Sequence, residues 1–482
     1  MNQVPETGKP NQAGDSSSSP YGSAFAGSSP TTQVIAALAS GGQQAAIAVI
    51  RITGPGCFDL LQPVLPKLKT DDSELRKLQW LRFYDAAQKV VIDEPLVALF
   101  KAPASFTGED SAEIYCHGGP YIIRQLLTTL YQLGIRPAEP GEFTKRAFLN
   151  GKMDLTAAEG IRELIEAHSQ HQWQAARYMS EGRFATYVQQ LRQSLIRAMA
   201  FLEARIDFPD EGDTQSVELT GVAARVREVD QQLARLEATY DNGRIARQGL
   251  KVAILGAPNM GKSTLMNELL GRERAIVTDI AGTTRDYLEE TCLVEGRAIC
   301  LIDTAGVRQT EDQVERLGVE KAMALGAEAD LVLLLIAADA SPEVQAESAG
   351  WRKSLGDAKC LMVVTKCDLK PITERSLAES LAISCRTQVG LDELRRELAS
   401  RVDQSVGTLG DEPFLTSARH LAAVSRAREA LAAFFAGLEE QIYEEMLAFE
   451  LQNAAKALAD IIGQVDHEDI LDQVFGEFCV GK

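Results

Sequence analysis

Gly256-Ala257-Pro258-Asn259-Met260-Gly261-Lys262-Ser263 reads G-x-x-x-x-G-K-S and directly follows the apolar run Val252-Ala253-Ile254-Leu255. That order predicts a strand, a phosphate loop and a helix start. The glycines let successive backbone N–H groups turn inward around a phosphate, and Lys262 reaches the outer phosphates as a mobile cation. The Ser263 hydroxyl, with Thr264 beside it in the first helical turn, is suited to Mg²⁺. The chemistry expected is that of a nucleoside-triphosphatase.

The elements that follow arrive in the order such a domain needs. Ile299-Cys300-Leu301-Ile302 is a buried-strand run that ends in Asp303-Thr304-Ala305-Gly306, where Asp303 suits the metal's water shell and the Gly306 N–H suits a γ-phosphate. Leu331–Ile336 and Leu361–Val364 are two more apolar strands, and the second feeds Thr365-Lys366-Cys367-Asp368. The two carboxylate oxygens of Asp368 match the N1–H and N2–H₂ donors of guanine, whereas adenine offers an acceptor there. Ser384-Cys385-Arg386, after Leu381-Ala382-Ile383, resembles the last guanine-contacting loop of GTPases. Strands alternating with amphipathic helices imply a parallel sheet with its chemistry at the carboxyl edge.

Composition bounds the remainder. A chain of 482 residues holds two to four domains. The net charge of −19 argues against an autonomous nucleic-acid binder, so any RNA contact is local or borrowed from a partner. The eight cysteines show no C-x-x-C pair or zinc spacing, which fits a reducing, cytoplasmic setting. Apolar stretches are strand-length, too short to span a bilayer, so no membrane association is expected. Residues 1–31, rich in Ser, Pro and Gly, read as a disordered tail.

Outside the GTPase-like region the chain changes character twice. From Val34 to Ala147 short β-like runs (Ile47–Ile50, Leu96–Phe100, Ala112–Tyr115) alternate with Gly/Pro turns, and a helix is expected over Ile122–Gln132. From Asp154 the period becomes helical. Ile161, Leu164, Ile165 and His168 share a face, and Val226, Val229, Leu233 and Leu236 repeat at three and four. After the α/β region Leu447, Leu451, Ala454, Leu458, Ile461 and Val465 repeat likewise, with Gly463 a mild interruption. The fold expected is multidomain: an α+β module, an all-α bundle, and an α/β GTPase domain inserted into that bundle. The boundaries are 1–31 tail, 32–148 N-terminal module, 149–248 first helical part, 249–406 GTPase domain and 407–482 second helical part.

Taken together, Ser105–Asp110 (SFTGED), His117–Pro120 (HGGP), Gly141–Thr144 (GEFT), Ala147–Leu155 (AFLNGKMDL), Ala281–Asp286 (AGTTRD) and the terminal Phe478–Lys482 (FCVGK) closely resemble the MnmE (TrmE) family of tRNA wobble-uridine modification GTPases, over residues 32–482. The resemblance implies a cytosolic homodimer that works with the FAD- and NADH-using flavoprotein MnmG on tRNA. Together they add an aminomethyl or carboxymethylaminomethyl group at C5 of the wobble uridine. It further implies that the N-terminal module dimerises and binds a tetrahydrofolate one-carbon donor through Arg51, Glu109, Lys152 and Lys482. A pterin offers amide-like donors to Glu109, and its glutamate tail offers carboxylates to the cations. Cys479 is the implied reactive thiol. The alternative for it is a small apolar packing residue.

For GTP hydrolysis, the position after the Asp303–Gly306 loop is Val307, which cannot orient water. The resemblance gives that role to Glu315, against the alternative of a solvated helix-start acid. It gives the charge-neutralising role of an arginine finger to K⁺, held by Asn259 together with Thr278, Ile280 and Thr283 of Thr278-Asp279-Ile280-Ala281-Gly282-Thr283-Thr284. Thr284 then joins Ser263 on Mg²⁺.

Two positions depart from the pattern. Met260 replaces a small residue and is tolerable if its side chain points out of the loop. Thr365 replaces the usual Asn, so a contact to guanine or the phosphate loop is expected to be lost or shortened, and restoring Asn to tighten GTP binding. His168 and His171 lie at i, i+3 on the expected helix without a third metal ligand, and the Lys145/Arg146 pair reads either as a tRNA contact or as solvated charge. The rival readings are a ribosome-assembly or translation-type GTPase, which would lack the SFTGED-to-AFLNGKMDL front half and the FCVGK end, and a nucleotide-impaired scaffold.

Overall fold

The computed structural model describes residues 33–41, 44–85, 89–207, 219–272, 289–303, 322–370, 380–407, 412–464, 471 and 474–481. It divides into two compact units, Met1–Asp154 with His467–Lys482, and Leu155–Asp466.

In the first unit, alternation along the strands builds a sheet with one apolar face. The strands are β1 (Ile35–Leu38), β2 (Ile47–Thr53), β3 (Gln79–Trp80), β6 (Leu96–Phe100), β7 (Ser111–His117) and β8 (Arg136–Pro137), ordered β3-β6-β7-β2-β1-β8. The pair β4 (Phe83–Tyr84) and β5 (Val91–Asp93) lies apart. Ala48, Ile50 and Ile52 bury one face of β2 with Ile114, Val97 and Leu99. Residues of α1 (Cys57–Leu61) and α2 (Pro120–Gln132) join that core, and α2, expected over 122–132, starts at Pro120, with proline in its first turn. The opposite face carries Arg51 opposite Glu113 in the β2/β7 register. On the same unit, α3 (Glu142–Leu149) packs Phe148 against Phe475, which in turn meets Phe478, with ring centroids 6.1 and 5.6 Å apart. The last residues, grouped with the second helical part by sequence, therefore cluster with the N-terminal residues. Val480 pairs with Pro140, and the Gly141 N–H donates to the Cys479 carbonyl at 3.4 Å. Gly141 has φ 66°, and a Cβ there would lie 2.5 Å from the Phe475 carbonyl oxygen, so this crossing requires glycine.

The second unit begins with α4 (Leu155–Glu166), α5 (Gln170–Ser180), α6 (Arg183–Asp207), α7 (Leu219–Ala238) and α8 (Tyr240–Gln248). Then come β9 (Leu250–Leu255), α9 (Lys262–Arg272), β10 (Glu289–Val294), β11 (Arg297–Asp303), β12 (Leu331–Ala337), α10 (Pro342–Leu355), β13 (Cys360–Thr365), β14 (Leu381–Ala382) and α11 (Leu391–Val406). The unit closes with α12 (Ala418–Glu439) and α13 (Glu444–Ile462). Strand order is β10-β11-β9-β12-β13-β14, with every neighbouring pair parallel except β10/β11. Fully apolar β12, buried along its whole length, occupies the middle. Before and after this sheet in the chain, α6, α7, α12 and α13 pack on one another, burying Val226, Val229, Leu233 and Leu236 of α7 and Leu447, Leu451, Ala454, Leu458 and Ile461 of α13.

Three helical expectations change. The buried side of α4 is the small-residue run Leu155–Ala158 with Gly160, while Ile165 is exposed. A Cβ on Gly160 would lie 2.5 Å from the Ser180 amide, so α4 and α5 touch backbone to backbone where larger side chains would separate them. His168 lies beyond the end of α4, and Ser169 caps α5 with a reciprocal Gln172 box, so His168 and His171 do not share one helix. Gly463, with φ 75°, is the left-handed cap that ends α13 and not an interruption within it.

One corner positions the phosphate loop. Between α8 and β9 stands a single residue, Gly249, at φ 89°, where a Cβ would lie 2.7 Å from the Ala298 carbonyl oxygen. Asp330 accepts hydrogen bonds from Arg244 of α8 at 2.6 Å and from the Lys251 amide of β9 at 2.8 Å, bracing the two elements across that joint.

Candidate functional site

β9 delivers the chain to the carboxyl edge of the sheet, where Gly256 (φ 151°), Asn259 (φ 63°) and Gly261 (φ 90°) turn it through conformations costly for most residues. A Cβ on Gly256 would lie 2.6 Å from the Leu335 carbonyl oxygen, so the loop leaves the sheet here against β12. The Lys262 ammonium donates to the carbonyls of Gly256 and Ala257 at 2.7 and 2.9 Å and is thus held over the loop it serves. Ser263 and Thr264 are exposed in the first turn of α9, as a hydroxyl ligand to Mg²⁺ must be. Asp303 closes β11 on the same edge, paired in register with Ile254.

Met260 does not point out of the loop. It is half-buried against the core, and its sulfur accepts the Ala337 N–H at 3.1 Å. Thr365, 4% exposed at the end of β13, keeps a contact to the phosphate loop, its hydroxyl donating to the Met260 carbonyl at 2.8 Å. Lys366 follows at φ 58°, and Cys367 donates its N–H to Ile383. Asp368 is exposed, and the Ser384 hydroxyl donates to its carboxylate at 2.7 Å. That bond lowers the Asp368 pKa, keeping the group an acceptor for guanine donors. Cys385 is half-buried and Arg386 exposed beside it. Thr278, Asp279, Ile280, Ala281, Gly282, Thr283, Thr284, Thr304, Ala305, Gly306, Glu315 and Lys482 lie outside the described residues.

The N-terminal candidates each meet or belong to the Pro103–Asp110 loop. Arg51 donates to Glu113 at 2.9 and 3.1 Å and lies 5.2 and 5.8 Å from the ring centres of Phe106 and Phe143. Glu109 accepts from Arg146 at 3.1 Å and from the Thr53 hydroxyl at 3.3 Å. Lys152 runs its stem past Gly108 (φ 80°), where a Cβ would come within 3.3 Å of it, and donates to the Pro103 carbonyl at 3.0 Å. A partly open guanidinium over two aromatic rings and beside the Glu113 carboxylate has the chemistry to meet a flat heteroaromatic ring or an acidic group, which is compatible with a folate. Cys479 is exposed.

Arg146 corrects the reading of the Lys145/Arg146 pair as tRNA contacts or solvated charges. Its side chain is 2% exposed, clamped between Glu109 and Glu142, and the Glu142 pKa is lowered, against desolvation, by the Glu139 amide and by Arg136 and Arg146. The Arg146 Nε and the Thr144 hydroxyl are buried without hydrogen-bond partners among the described residues. No local sequence signal separates a buried arginine from a solvated one. The periodicity of α3 placing it beside Phe143 and Ala147 was the available hint.

A second buried charge cluster, also missed, joins α4, α8 and α12. Glu159 accepts from Arg419 at 3.0 Å and from His420 at 2.9 Å, and Glu163 meets Arg247 at 2.6 Å. Burial works against the Glu159 charge, but Arg419 and His420 hold its carboxyl far below the usual range. For Glu163, burial wins over Arg247 and the group is pushed up to about 7, while its second oxygen is buried without a hydrogen-bond partner among the described residues. Burial lowers the His420 pKa, against the pull of Glu159. Among the described residues no helix is long and apolar enough to cross a membrane.

Comparison with known proteins identifies the family. The family model for the GTP-binding protein TrmE N-terminus matches residues 34–152, and that for the MnmE helical domain matches residues 155–479. Relatives described as tRNA modification GTPase MnmE include those of Akkermansia muciniphila, 42% identical over 93% of this chain and 99% of that protein, and Bacillus subtilis, 35% identical over 93% and 99%. The relative from Natranaerobius thermophilus is 36% identical over 94% of this chain and 100% of its own length. Among solved structures, a variant of Aquifex aeolicus Era bound to GDP.AlF4- is 26% identical over 37% of this chain and 66% of that one, with a TM-score of 0.25. With matches running from the first strand to the last residues, the chain belongs to the MnmE family of tRNA modification GTPases.

Proposed function

We propose that this chain hydrolyses GTP in order to drive modification of the wobble uridine of tRNA, working in the cytoplasm as a homodimer with an MnmG-like FAD/NADH flavoprotein. The observation that carries the reading is the pairing, in one chain of the MnmE family, of a phosphate loop and Asp368 on one sheet edge with a separate N-terminal cluster of Arg51, Glu109 and Lys152. One site has the chemistry of a guanine nucleotide and the other that of a tetrahydrofolate one-carbon donor. The product is an aminomethyl or carboxymethylaminomethyl group at C5.

In the nucleotide site Asp368 reads guanine, steadied by Ser384. Lys262 exchanges the carbonyls of Gly256 and Ala257 for the outer phosphates, so that its charge opposes the charge developing on the transferred phosphoryl group. Ser263 and Thr284 would hold Mg²⁺, which supplies charge neutralisation between the phosphates. Asn259, Thr278, Ile280 and Thr283 would hold K⁺, and Glu315 would orient the attacking water in the position where Val307 cannot. The G domain is residues 249–406, set between a helical part at 149–248 and one that runs from 407 through α13, and residues 32–148, joined by the last residues of the chain, form the folate and dimer module. Within that module Arg51 and Lys152 bind the acidic tail and Glu109 the pterin edge, with Lys482 and Cys479 on the same unit. The test is mass spectrometry of wobble nucleosides from cells with and without the chain. Unchanged nucleosides would overturn the reading.

A further inference from the structure

We propose that Met260 and Thr365 act as one interdependent strap on the phosphate loop, so that neither can be returned alone to the residue usual in GTPases without losing GTP affinity. Each is unusual by itself, and the structure puts them in direct contact. The Thr365 hydroxyl donates to the Met260 carbonyl at 2.8 Å, and the Met260 sulfur accepts the Ala337 N–H at 3.1 Å. Thr365 and Ala337 are themselves register partners at the ends of β13 and β12. The loop is therefore tied at one residue to the ends of two neighbouring strands.

The geometry explains why each end needs the other. Pairing between β9 and β12 stops at Leu255 opposite Leu334, because the chain leaves the sheet at Gly256. The buried Ala337 N–H thus has no β9 carbonyl opposite it, and the flexible thioether folds back to serve as a weak acceptor. A valine or alanine at 260 cannot reach. At the other end the Thr365 Oγ1 already stands at hydrogen-bond distance, 2.8 Å, from the Met260 carbonyl, so a longer side chain aimed at the same acceptor would overlap it. An asparagine amide extends roughly 1.5 Å further than a hydroxyl, one bond length. With the loop anchored by the Met260 sulfur it cannot retreat to accommodate that length. With a short residue at 260 the anchor is gone and the loop is free to move out and meet the amide. The two residues are positioning residues: they act on nucleotide through the loop backbone, and the inference rests on the phosphate loop being the GTP site.

The experiment is a double-mutant cycle on the full-length chain, with GTP and GDP dissociation constants measured by titration in Mg²⁺ buffer for Thr365→Asn, Met260→Val and the pair. Each single variant is expected to weaken binding by about 5-fold or more, the worth of one hydrogen bond, and the pair to return to within about 3-fold of the starting protein. Thr365→Val should lose affinity, and Thr365→Ser, which restores the hydroxyl, should recover most of it. Melting temperatures measured in parallel separate a role confined to folding, which would lower stability while leaving affinity per folded molecule unchanged and would overturn the proposal. Tighter binding by Thr365→Asn alone, or strictly additive losses in the pair, would also overturn it. Lys262→Ala serves as the reference. If the unaltered chain binds GTP no better than this variant, the assignment of the loop fails instead, before the strap is put to the test.

Discussion

Replacing Glu163 by glutamine should change how the stability of the second unit depends on pH. In the folded chain burial pushes this carboxyl up to about 7, from 4.5 for a free glutamate. Between those values the native state holds a proton that the unfolded state has released. Native proton binding therefore exceeds unfolded binding by one, and stability falls by about 1.4 kcal/mol per pH unit, or about 3 kcal/mol in all. The stabilisation is fully present below pH 4.5 and is lost as pH rises through about 7. Glutamine keeps the length and an acceptor for Arg247 but exchanges no proton, so its curve lacks that fall. The groups acting on Glu163 are Arg247 on α8 and Glu159, Arg162 and Glu166 on α4, and Glu159 in turn faces Arg419 and His420 on α12. His420, whose folded pKa is lowered, costs stability as pH drops below about 6.5. It does so in both proteins. The assay is urea unfolding followed by Trp173 fluorescence on α5, with Trp80 and Trp351 replaced by phenylalanine, from about pH 5 to 8. A difference between the two proteins that stays constant within about 0.5 kcal/mol over that range would refute the reasoning.

Three further outcomes are expected. Lys262→Ala should lower the rate of GTP hydrolysis by at least about 100-fold, the scale of losing one charged donor to a phosphoryl transition state, and turnover near that of the unaltered chain would remove the phosphate-loop assignment. Hydrolysis should be faster in KCl than in NaCl at equal ionic strength, and equal rates would exclude the K⁺ role given to Asn259 and its partners. Cys479→Ser, at an exposed position, should shift folding stability by no more than about 0.5 kcal/mol while lowering wobble-uridine modification in cells, and intact modification would make the thiol incidental.

What the sequence made legible was local. The phosphate loop, the apolar strands β9, β11, β12 and β13, and the helix α2 are each encoded within a dozen residues by spacing or by composition. The charge clusters are not. Glu159 meets His420 across 261 residues and Thr365 meets Met260 across 105, and nothing near either residue marks the partner. Thr365 illustrates the cost: judged alone it reads as a missing amide, and only its position beside Met260 turns it into a contact. Burial of Arg146 was hidden for the same reason, since its partners Glu109 and Glu142 come from a separate loop and from the previous helical turn. Small residues in α4 were misjudged because apolar periodicity scores size, whereas close approach at Gly160 selects against it.

The joint at Gly249 turns the nucleotide site into one end of a lever. A connection of several flexible residues would absorb a shift of the phosphate-loop strand, but here one glycine separates β9 from α8, and Asp330 ties both sides of the corner. The far grip on that lever is Arg247, held by Glu163 inside the cluster that also engages α12. Inserting two glycines after Gly249 should leave both ends folded while cutting the link, read as GTP binding retained but no longer altering hydrogen exchange in α4. Without such slack, any displacement of β9 would pass to α8 through that one residue and the Asp330 brace.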